Sequence, residues 1–250
     1  MKNKFVVYTA LFGDYDDLID PKEKYDGCDF ICFTDQKNLK SDVWKIQIVE
    51  DINFPLNMIN RQYKLLAHLF LSEYEHSLYI DSNIILKKNP IILSKKYLNK
   101  KNFLVPKHPI RKCIYEESKV CISLRKSKLF ATFSQIYSYS NEKYPKNYGL
   151  GENNIIFRRH NDENVIKIME DWWNEINTKT QRDQLSLGYV LWKHNNKFNF
   201  INENARINNE YFDFINHNSE NNITVLKKLK KIVLFKYFYF ISSLFWKFLK

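Results

Sequence analysis

Short apolar runs, each followed directly by polar or turn-forming residues, recur through the first half of the chain. Phe5 to Leu11 precedes an acidic turn at Gly13 to Asp17, and Phe30 to Phe33 precedes Thr34 and Asp35. Apolar runs of this length with such boundaries are typical of buried β-strands. The same pattern predicts further strands at Trp44 to Val49, Ser77 to Ile80, Ile84 to Leu86 and Phe103 to Pro106.

Longer segments with apolar residues at helical spacing alternate with these runs. From Asn57 to Glu73 the apolar positions form one stripe, made by Ile59, Tyr63, Leu66 and Phe70. Further helices are predicted at Ser123 to Tyr139, Asp162 to Asn177 and Arg182 to Asn195, the last preceded by Thr180 as a candidate N-cap. Strands that alternate with helices indicate an α/β sheet with ligands at the carboxyl ends of its strands.

Composition and charge divide the chain into two parts. The 250 residues are 44% hydrophobic and 27% charged, with only five glycines and six prolines, which excludes collagen-like and linker-rich chains. The net charge of +11 arises mostly from Leu226 to Lys250, which has seven lysines and no acid, whereas the preceding residues carry 32 basic and 28 acidic groups. We therefore predict a globular domain over residues 1–222 and a basic, aromatic tail over residues 223–250.

The tail has two interpretations. Lys236 and Lys247 bracket only ten uncharged residues, which is too short a run to span hydrocarbon. A basic helix rich in Phe, Tyr and Trp is typical of helices that lie on an anionic membrane surface, and we expect that role. The alternative is a helix that packs on the domain with its lysines outward.

The cysteines and the N-terminal residues indicate the cellular compartment. Cys28, Cys32, Cys113 and Cys121 are too few for a disulfide scaffold and form no C-x-x-C pair, so we expect reduced cytosolic thiols. The apolar run after Lys4 is too short for a secretory signal. Together with the basic tail, these features favour a cytoplasmic protein peripheral to the inner face of the plasma membrane.

The strongest candidate for chemistry is the step Asp81-Ser82-Asn83, which interrupts an apolar run. The two-residue period of a strand places Asp81 and Asn83 on one side. A carboxylate and an amide oxygen suit Mg²⁺ or Mn²⁺, which would in turn bridge a diphosphate. A polar strand end capped by turn residues is the structural alternative.

Basic residues on the helix before this strand strengthen the phosphate interpretation. Arg61, Lys64 and His68 lie close together around the helix, on the face opposite the apolar stripe. Arginine binds phosphate through its two-pronged guanidinium. A solvated charged face is the ordinary alternative.

Two later segments carry polar groups suited to a hydroxylated acceptor. His108, Arg111 and Glu117 follow a predicted strand, and Glu152 and Asn153 follow a glycine pair that permits close backbone approach. We assign the acceptor to His108, Arg111, Glu117 and Asn153. Solvent-facing turns would produce the same pattern.

Several short motifs together resemble a known family. They are Tyr8-Thr9-Ala10-Leu11-Phe12-Gly13-Asp14-Tyr15-Asp16, Cys32-Phe33-Thr34-Asp35, Asn60-Arg61-x-x-Lys64, Tyr79-Ile80-Asp81-Ser82-Asn83, His108-Pro109-x-Arg111-x-Cys113-x-Tyr115-x-Glu117, Gly149-Leu150-x-Glu152-Asn153 and Arg182-Asp183-Gln184. The stretch from Phe5 to Lys193 resembles a glycosyltransferase-like family shared by plant mucilage and pectin proteins and bacterial surface-polysaccharide proteins. That family is similar to the GT-A type and to the glycogenin-like transferases.

The resemblance implies a Rossmann-like mixed sheet flanked by helices, a nucleotide-sugar donor such as a UDP-sugar, and a divalent metal. It implies that Asp81, Asn83 and His217 hold the metal, and that Asp183, Gln184 and Glu152 form the catalytic region. Its donor-binding residues would be Tyr8, Thr9 and Ala10 at the base and ribose, Asp35 at the base, and Arg61 and Lys64 at the phosphates. Asn83 stands where the family pattern usually has a second aspartate, which lowers the local negative charge.

The predicted function is transfer of a sugar from a nucleotide-sugar donor to a saccharide or lipid-linked glycan, in bacterial surface polysaccharide assembly. Mn²⁺ or Mg²⁺ is the expected cofactor, and no nucleic-acid partner is expected. One alternative is a non-catalytic glycan- or nucleotide-binding module, which the asparagine at position 83 favours. A nucleic-acid-binding protein that uses the basic tail is the other.

Overall fold

A mixed seven-stranded sheet forms the centre of the protein. The computed structural model describes residues 4–14, 16–216 and 225–248. The strands of the central sheet are β1 (Phe5–Leu11), β2 (Cys28–Thr34), β3 (Lys45–Ile48), β4 (His76–Ile80), β6 (Phe103–Pro106), β7 (Ile155–Arg158) and β8 (Phe200–Ile201). Two further strands, β5 (Ile84–Leu86) and β9 (Phe212–Phe214), pair antiparallel in a small separate sheet.

The direction of the strands fixes where a site would form. The order across the sheet is β3-β2-β1-β4-β7-β6-β8. β1 is parallel to both β2 and β4, and β2 is parallel to β3, whereas β7 runs antiparallel to β4 and β6. The carboxyl ends of β1, β2 and β4 therefore meet at one edge of the sheet, where ligands of α/β proteins bind.

Helices cover the sheet and connect its strands. They are α1 (Leu56–Leu65), α2 (Ala67–Phe70), α3 (Ile91–Leu98), α4 (Ile114–Ser123), α5 (Leu129–Asn141), α6 (Glu163–Thr178), α7 (Leu187–Lys193) and α8 (Val225–Phe248), with a 3₁₀ turn at Asp183–Leu185. The predicted mixed α/β sheet flanked by helices is confirmed.

The alternation of side chains along β1 divides the core into two clusters. Val6, Tyr8 and Ala10 belong to a cluster that includes residues of α1, α6 and α7. Phe5 and Val7 belong to the second cluster, which includes residues of α3, β5 and β9. Because the strand is buried on both faces, it has the continuous apolar sequence of a central strand in a parallel sheet.

The structure corrects the predicted helix from Asn57 to Glu73. That segment is two helices, because α1 ends at Leu65 and Leu66 leaves the helical conformation with ψ at 44°. The local sequence has neither glycine nor proline to signal this break. As a result His68 lies on α2, where its ring is 3.5 Å from Glu170 of α6, away from Lys64.

The later helical predictions also need correction. The segment Ser123 to Tyr139 contains the end of α4, a turn and most of α5, and α4 itself was not predicted. Arg182 to Asn195 is the 3₁₀ turn followed by α7. Thr180 is not an N-cap, since its buried hydroxyl donates to the Gln135 side-chain oxygen at 2.5 Å.

The small sheet includes a segment late in the chain. The Asn-rich segment over residues 202–222 contributes β9, which pairs with β5 from Ile84↔Phe214 to Leu86↔Phe212. This pairing fixes the chain directly after Asp81 and brings residues near position 215 next to Asn83.

The tail forms the helix α8, one face of which packs on the domain. Phe245 stacks on Phe133 of α5 with ring centroids 3.9 Å apart, and Trp246 meets Tyr115 of α4 edge-on at 5.9 Å. Among the described residues, no helix has the length and apolar character needed to cross a bilayer. The packed-helix interpretation therefore holds for one face of α8.

Candidate functional site

A buried lysine between two aspartates lies at the carboxyl end of β4. The Lys64 ammonium is 2.9 Å from the Asp183 carboxylate and 3.3 Å from the Asp81 carboxylate. Lys64 and Asp183 have side chains only 6% and 11% exposed, whereas Asp81 is 36% exposed. The trio thus places one net negative charge at the edge where the parallel strands end.

Three separate elements hold these groups. Lys64 lies in the last turn of α1, Asp81 follows β4, and Asp183 begins the 3₁₀ turn before α7. The indole N–H of Trp172 on α6 donates to the Asp183 carbonyl at 3.1 Å, and the Gln184 N–H donates to the Asp183 carboxylate at 2.9 Å. Asp183 is therefore fixed through both its backbone and its side chain.

A fully buried arginine binds the C-terminal end of α1. Arg158 on β7 donates to the carbonyls of Lys64 and Leu65 and to the Tyr8 hydroxyl. Burial lowers the pKa of this guanidinium. The last carbonyls of a helix lack intrahelical partners and carry partial negative charge, so Arg158 both satisfies and complements them. Sequence analysis missed this residue, although an arginine next to the apolar Ile155–Phe157 run is the signal that would have found it.

The electrostatics of the buried pair keep Lys64 and Asp183 ionised at neutral pH. Burial alone would raise the pKa of Asp183, but Lys64, Arg182 and Arg61 together hold it well below its ordinary value. Burial alone would lower the pKa of Lys64, but Asp183 and Asp81 raise it overall. Neighbouring opposite charges thus outweigh desolvation at both positions.

Arg61 lies near the same trio, and part of its guanidinium has no hydrogen-bond partner. Its guanidinium donates to the Asn57 carbonyl at 2.6 Å, and its buried Nε has no hydrogen-bond partner. An unpartnered donor costs free energy when buried, so it marks a position where a ligand oxygen would be stabilising. Lys64 is buried and Arg61 is half-buried, so the alternative of a fully solvated charged face does not hold for these two residues.

Of the other residues predicted at the donor, Tyr8, Thr9 and Ala10 lie within β1 and Asp35 directly follows β2. Tyr8 is fully buried and its hydroxyl donates to the Lys64 carbonyl at 2.8 Å, so it supports α1 from within the core. Ala10 is also buried, and Thr9 has a buried hydroxyl without a partner. The Asp35 carboxylate accepts the N–H of Gly13 at 2.9 Å and thereby fixes the turn after β1.

The positions predicted for a metal are only partly within the described structure. Asn83 is buried, and its amide donates to the carbonyl of Ile215 at 2.9 Å. His217 lies outside the described residues. Within residues 4–14, 16–216 and 225–248, no group of three or more His, Cys, Asp or Glu side chains is placed to share a metal ion.

The step Asp81-Ser82-Asn83 is a turn between β4 and β5, closed by the Ile84 N–H that donates to the Asp81 carbonyl at 2.9 Å, so the strand period predicted for these two side chains is wrong. The two residue types still suit a hard cation. Asp81 supplies a partly exposed carboxylate, and Asn83 supplies an amide whose N–H already points at a carbonyl. Mg²⁺ is commonly held by one or two carboxylates, with substrate phosphates and water completing its shell. Lys64 competes for the same Asp81 carboxylate.

Most residues predicted to bind the acceptor form a second buried network. The Arg111 guanidinium pairs with Glu117, His108 lies 3.6 Å from Glu152, and Arg206 donates to Glu152 at 2.8 Å. His108, Glu117 and Glu152 are all buried. These charged groups satisfy one another, so the network fixes the 108–111 and 151–154 segments against each other.

Two contacts join this network to the first cluster. The Gln184 amide donates to the Gly151 carbonyl at 3.4 Å. Burial lowers the pKa of the Arg182 guanidinium, but the nearby Asp183 and Glu117 carboxylates help to raise it overall. Gln184 therefore contacts the segment that carries Glu152.

A pair of buried asparagines lies directly beside Asp81. Asn153 and Asn154 are 3% and 7% exposed, and neither end of either amide has a hydrogen-bond partner. The Asn154 carbonyl accepts the N–H of Asp81 at 2.9 Å, which extends the β4–β7 ladder by one residue. Residues directly opposite in an antiparallel ladder project to the same face, so Asn154 shares a face with Asp81. The sequence places both asparagines after the glycine pair, and only Asn153 was assigned to the acceptor.

Two buried histidines give the fold a measurable pH dependence. Burial lowers the pKa of both His108 and His160 to about 4, from 6.5. The unfolded chain takes up these protons near pH 6.5 and the folded chain only near pH 4, so stability falls as pH falls through that window. Asp183 does not contribute there, because its stabilisation is lost only below its unfolded pKa of 3.8.

We expect the free energy of unfolding to fall by about 1–2 kcal/mol per histidine between about pH 7.5 and about pH 5. His160 lies 2.8 Å from the Leu71 carbonyl, and a glutamine there keeps a donor for that carbonyl. His160→Gln should remove about half of the pH effect in urea titrations. An unchanged difference between the two pH values in this variant would contradict the assignment.

The sheet, the strand-end cluster and the buried network define an α/β domain with one polar site at the edge where its parallel strands end. The family profile described as "TOD1/MUCI70, glycosyltransferase-like domain" matches residues 1–217, and the chain belongs to this family.

Two other proteins are similar to this chain. "Probable hexosyltransferase MUCI70" of Arabidopsis thaliana is 26% identical over 214 residues, covering 74% of this chain and 36% of that protein. The chain thus spans about a third of that relative's length. Among solved structures, the apo form of the bifunctional glycosyltransferase WbbM matches with a TM-score of 0.46 and 9% identity, over 80% of this chain and 39% of that chain.

Proposed function

We propose that the chain is a hexosyltransferase of GT-A type that uses a nucleotide-sugar donor, most favourably a UDP-sugar, and a saccharide acceptor. The observation that carries the proposal is the Lys64–Asp81–Asp183 trio at the carboxyl end of β4, within a domain of the glycosyltransferase-like family. The name of the Arabidopsis thaliana relative supports the hexosyl class.

We assign binding of the donor diphosphate to Arg61. The charge of Lys64 is already balanced by two carboxylates, whereas Arg61 has a buried donor without a partner. In this proposal Lys64 holds Asp81 and Asp183 in position and Arg61 binds phosphate. Thr9 within β1 and Asp35 after β2 remain the proposed neighbours of the nucleoside. A fixed cation at the phosphates stabilises the departing diphosphate most when water is excluded.

A divalent cation belongs to the proposal. Asp81 and Asn83 would hold Mg²⁺ or Mn²⁺, which when bound would act as a Lewis acid on the leaving diphosphate. Lys64 contacts the Asp81 carboxylate at 3.3 Å and would orient it towards the cation.

We assign binding of the acceptor to the region between the Lys64–Asp81–Asp183 trio and the second buried network. Asn153 and Asn154 offer buried amide groups without partners, which suits recognition of sugar hydroxyls. Asp183, Gln184 and Glu152 surround that position, and the ionised Asp183 would orient the reacting groups. We propose a surface-polysaccharide precursor, saccharide or lipid-linked, as the acceptor, with the enzyme at the cytoplasmic face of the plasma membrane.

A thermal-shift screen tests the donor. A donor present at ten times its dissociation constant stabilises the folded state by about 1.4 kcal/mol, which corresponds to a rise of about 3–6 °C in Tm for a chain of this size. We expect this rise with at least one UDP-hexose and Mn²⁺. No rise with any nucleotide sugar, with or without Mn²⁺ or Mg²⁺, would contradict the proposal.

Release of free nucleotide separates the enzyme from the alternative, a non-catalytic glycan- or nucleotide-binding module. The amide at Asn83 in place of a second carboxylate is the feature that favours the module. An enzyme releases UDP from its donor when an acceptor is supplied, and the Asp183→Asn variant should release it far more slowly. A module shows the thermal shift and releases no nucleotide.

A further inference from the structure

The helix α8 carries a second apolar face that nothing covers within the described structure. Val233, Tyr237, Phe240 and Leu244 follow one another at helical spacing and are 67%, 58%, 63% and 40% exposed. They lie on the side of the helix opposite Ser242, Phe245 and Trp246, which contact the domain. An exposed apolar stripe of this length marks an interaction surface.

A cavity of about 340 Å³ lies beside this helix, between α8 and α4. Its aromatic wall is formed by Tyr115 and Trp246, whose rings meet edge-on at 5.9 Å. The indole N–H of Trp246 is buried and has no hydrogen-bond partner. The cavity therefore combines an apolar wall with a donor that lacks an acceptor.

Positive charge surrounds the cavity. Lys119, Lys146 and Lys247 all line it. Glu116 is the acidic residue of the lining, and its carboxylate accepts the N–H of Lys112 at 2.9 Å. The helix Val225–Phe248 contains six lysines and no acid.

We propose that α8 and this cavity bind an anionic phospholipid at a membrane surface. The headgroup phosphate lies among Lys119, Lys146 and Lys247 and accepts the Trp246 indole N–H, while the stripe from Val233 to Leu244 enters the acyl boundary. Lysines attract anionic lipid, and aromatic rings are stable at the level of the headgroups. An exposed apolar stripe combined with an acid-free helix fits lipid better than a protein partner, whose surface carries charges of both signs.

Vesicle binding by the full chain tests this proposal. The wild-type protein should sediment with vesicles containing phosphatidylglycerol and only weakly with pure phosphatidylcholine. The triple variant Lys119→Ala, Lys146→Ala, Lys247→Ala should bind the anionic vesicles about 10–100-fold more weakly. Val233→Ser combined with Phe240→Ser should weaken binding while leaving every lysine in place.

A charge-matched control separates the cavity from net charge. Lys40, Lys100 and Lys197 are exposed lysines far from the lining in sequence, and their triple alanine variant removes the same charge. This control should bind nearly as well as wild type. Equal weakening in both triple variants, or equal binding of the two vesicle types by wild type, would overturn the proposal.

A soluble lipid tests the cavity itself. Dihexanoyl-phosphatidylglycerol, below its micellar concentration, should raise Tm, and Trp246→Phe should reduce that rise. A rise of the same size with inorganic phosphate would overturn the lipid assignment in favour of a phosphate site. The proposal stands apart from sugar transfer, because Asp183→Asn should bind vesicles as wild type does.

Discussion

Asp81→Ala is expected to lower kcat/KM for sugar transfer by about 10²–10³-fold while the protein stays folded. Asp81 is the exposed member of the trio at the end of β4, and it faces solvent where the donor phosphates and a cation would bind. Lys64 keeps its closer partner Asp183 when Asp81 is removed. The structural cost should therefore be small and the chemical cost large. Steady-state kinetics with the donor found by thermal shift measure the effect.

Two further variants show whether the loss of activity in Asp81→Ala is specific to the charge at that position. Asp42 is exposed before β3, at the opposite end of the parallel strands, and Asp42→Ala should leave kcat/KM unchanged. Asp81→Asn preserves shape and removes charge, so activity close to that of Asp81→Ala would show that the charge matters. Unimpaired transfer by Asp81→Ala would refute both the cation and the orienting role.

The site depends on contacts that local sequence does not encode. The strands β1 and β6 were predicted with their bounds, because a run buried on both faces is continuous and ends at turn residues. The pairing of Lys64 with Asp183 joins positions 119 residues apart. No periodic pattern could have shown that a lysine on a polar helix face is buried against an aspartate from another element.

The break at Leu66 shows the same limit at short range. Continuous apolar spacing predicts one helix, but Arg158 binds the carbonyls of Lys64 and Leu65 and thereby satisfies the end of α1. A tertiary contact replaces the usual glycine or proline signal. The predicted roles of Arg61, Asp81 and Asp183 remain consistent with the site, whereas His108 and Glu117 are bound to neighbours instead of facing an open surface.

The distance within an ion pair does not decide its contribution to stability. Lys4 and Glu75 are 2.6 Å apart, closer than Lys64 and Asp183 at 2.9 Å. Their side chains are 75% and 53% exposed, so solvent screens them and the pair should contribute little to stability. The Lys64 side chain is almost completely buried, and its removal would leave the buried Asp183 carboxylate without its closest cation.

Lys64→Met is therefore expected to lower the free energy of unfolding by about 3–5 kcal/mol at neutral pH. Methionine has similar length, and the backbone carbonyl that Tyr8 and Arg158 bind is unchanged. Urea unfolding should show a lower midpoint with an unchanged slope. Lys4→Met is the matched exposed control and should have nearly the same free energy of unfolding as wild type.

The double variant Lys64→Met, Asp183→Asn distinguishes a stranded charge from lost packing. Asparagine keeps the side-chain oxygen that accepts the Gln184 N–H but carries no charge, so no carboxylate is left buried without a partner. We expect the double variant to recover about 2 kcal/mol relative to Lys64→Met, and the Asp183→Asn single variant completes the double-mutant cycle that measures the coupling. If Lys64→Met and the double variant were equally destabilised, the cost would come from packing. The electrostatic account of the trio would then be wrong.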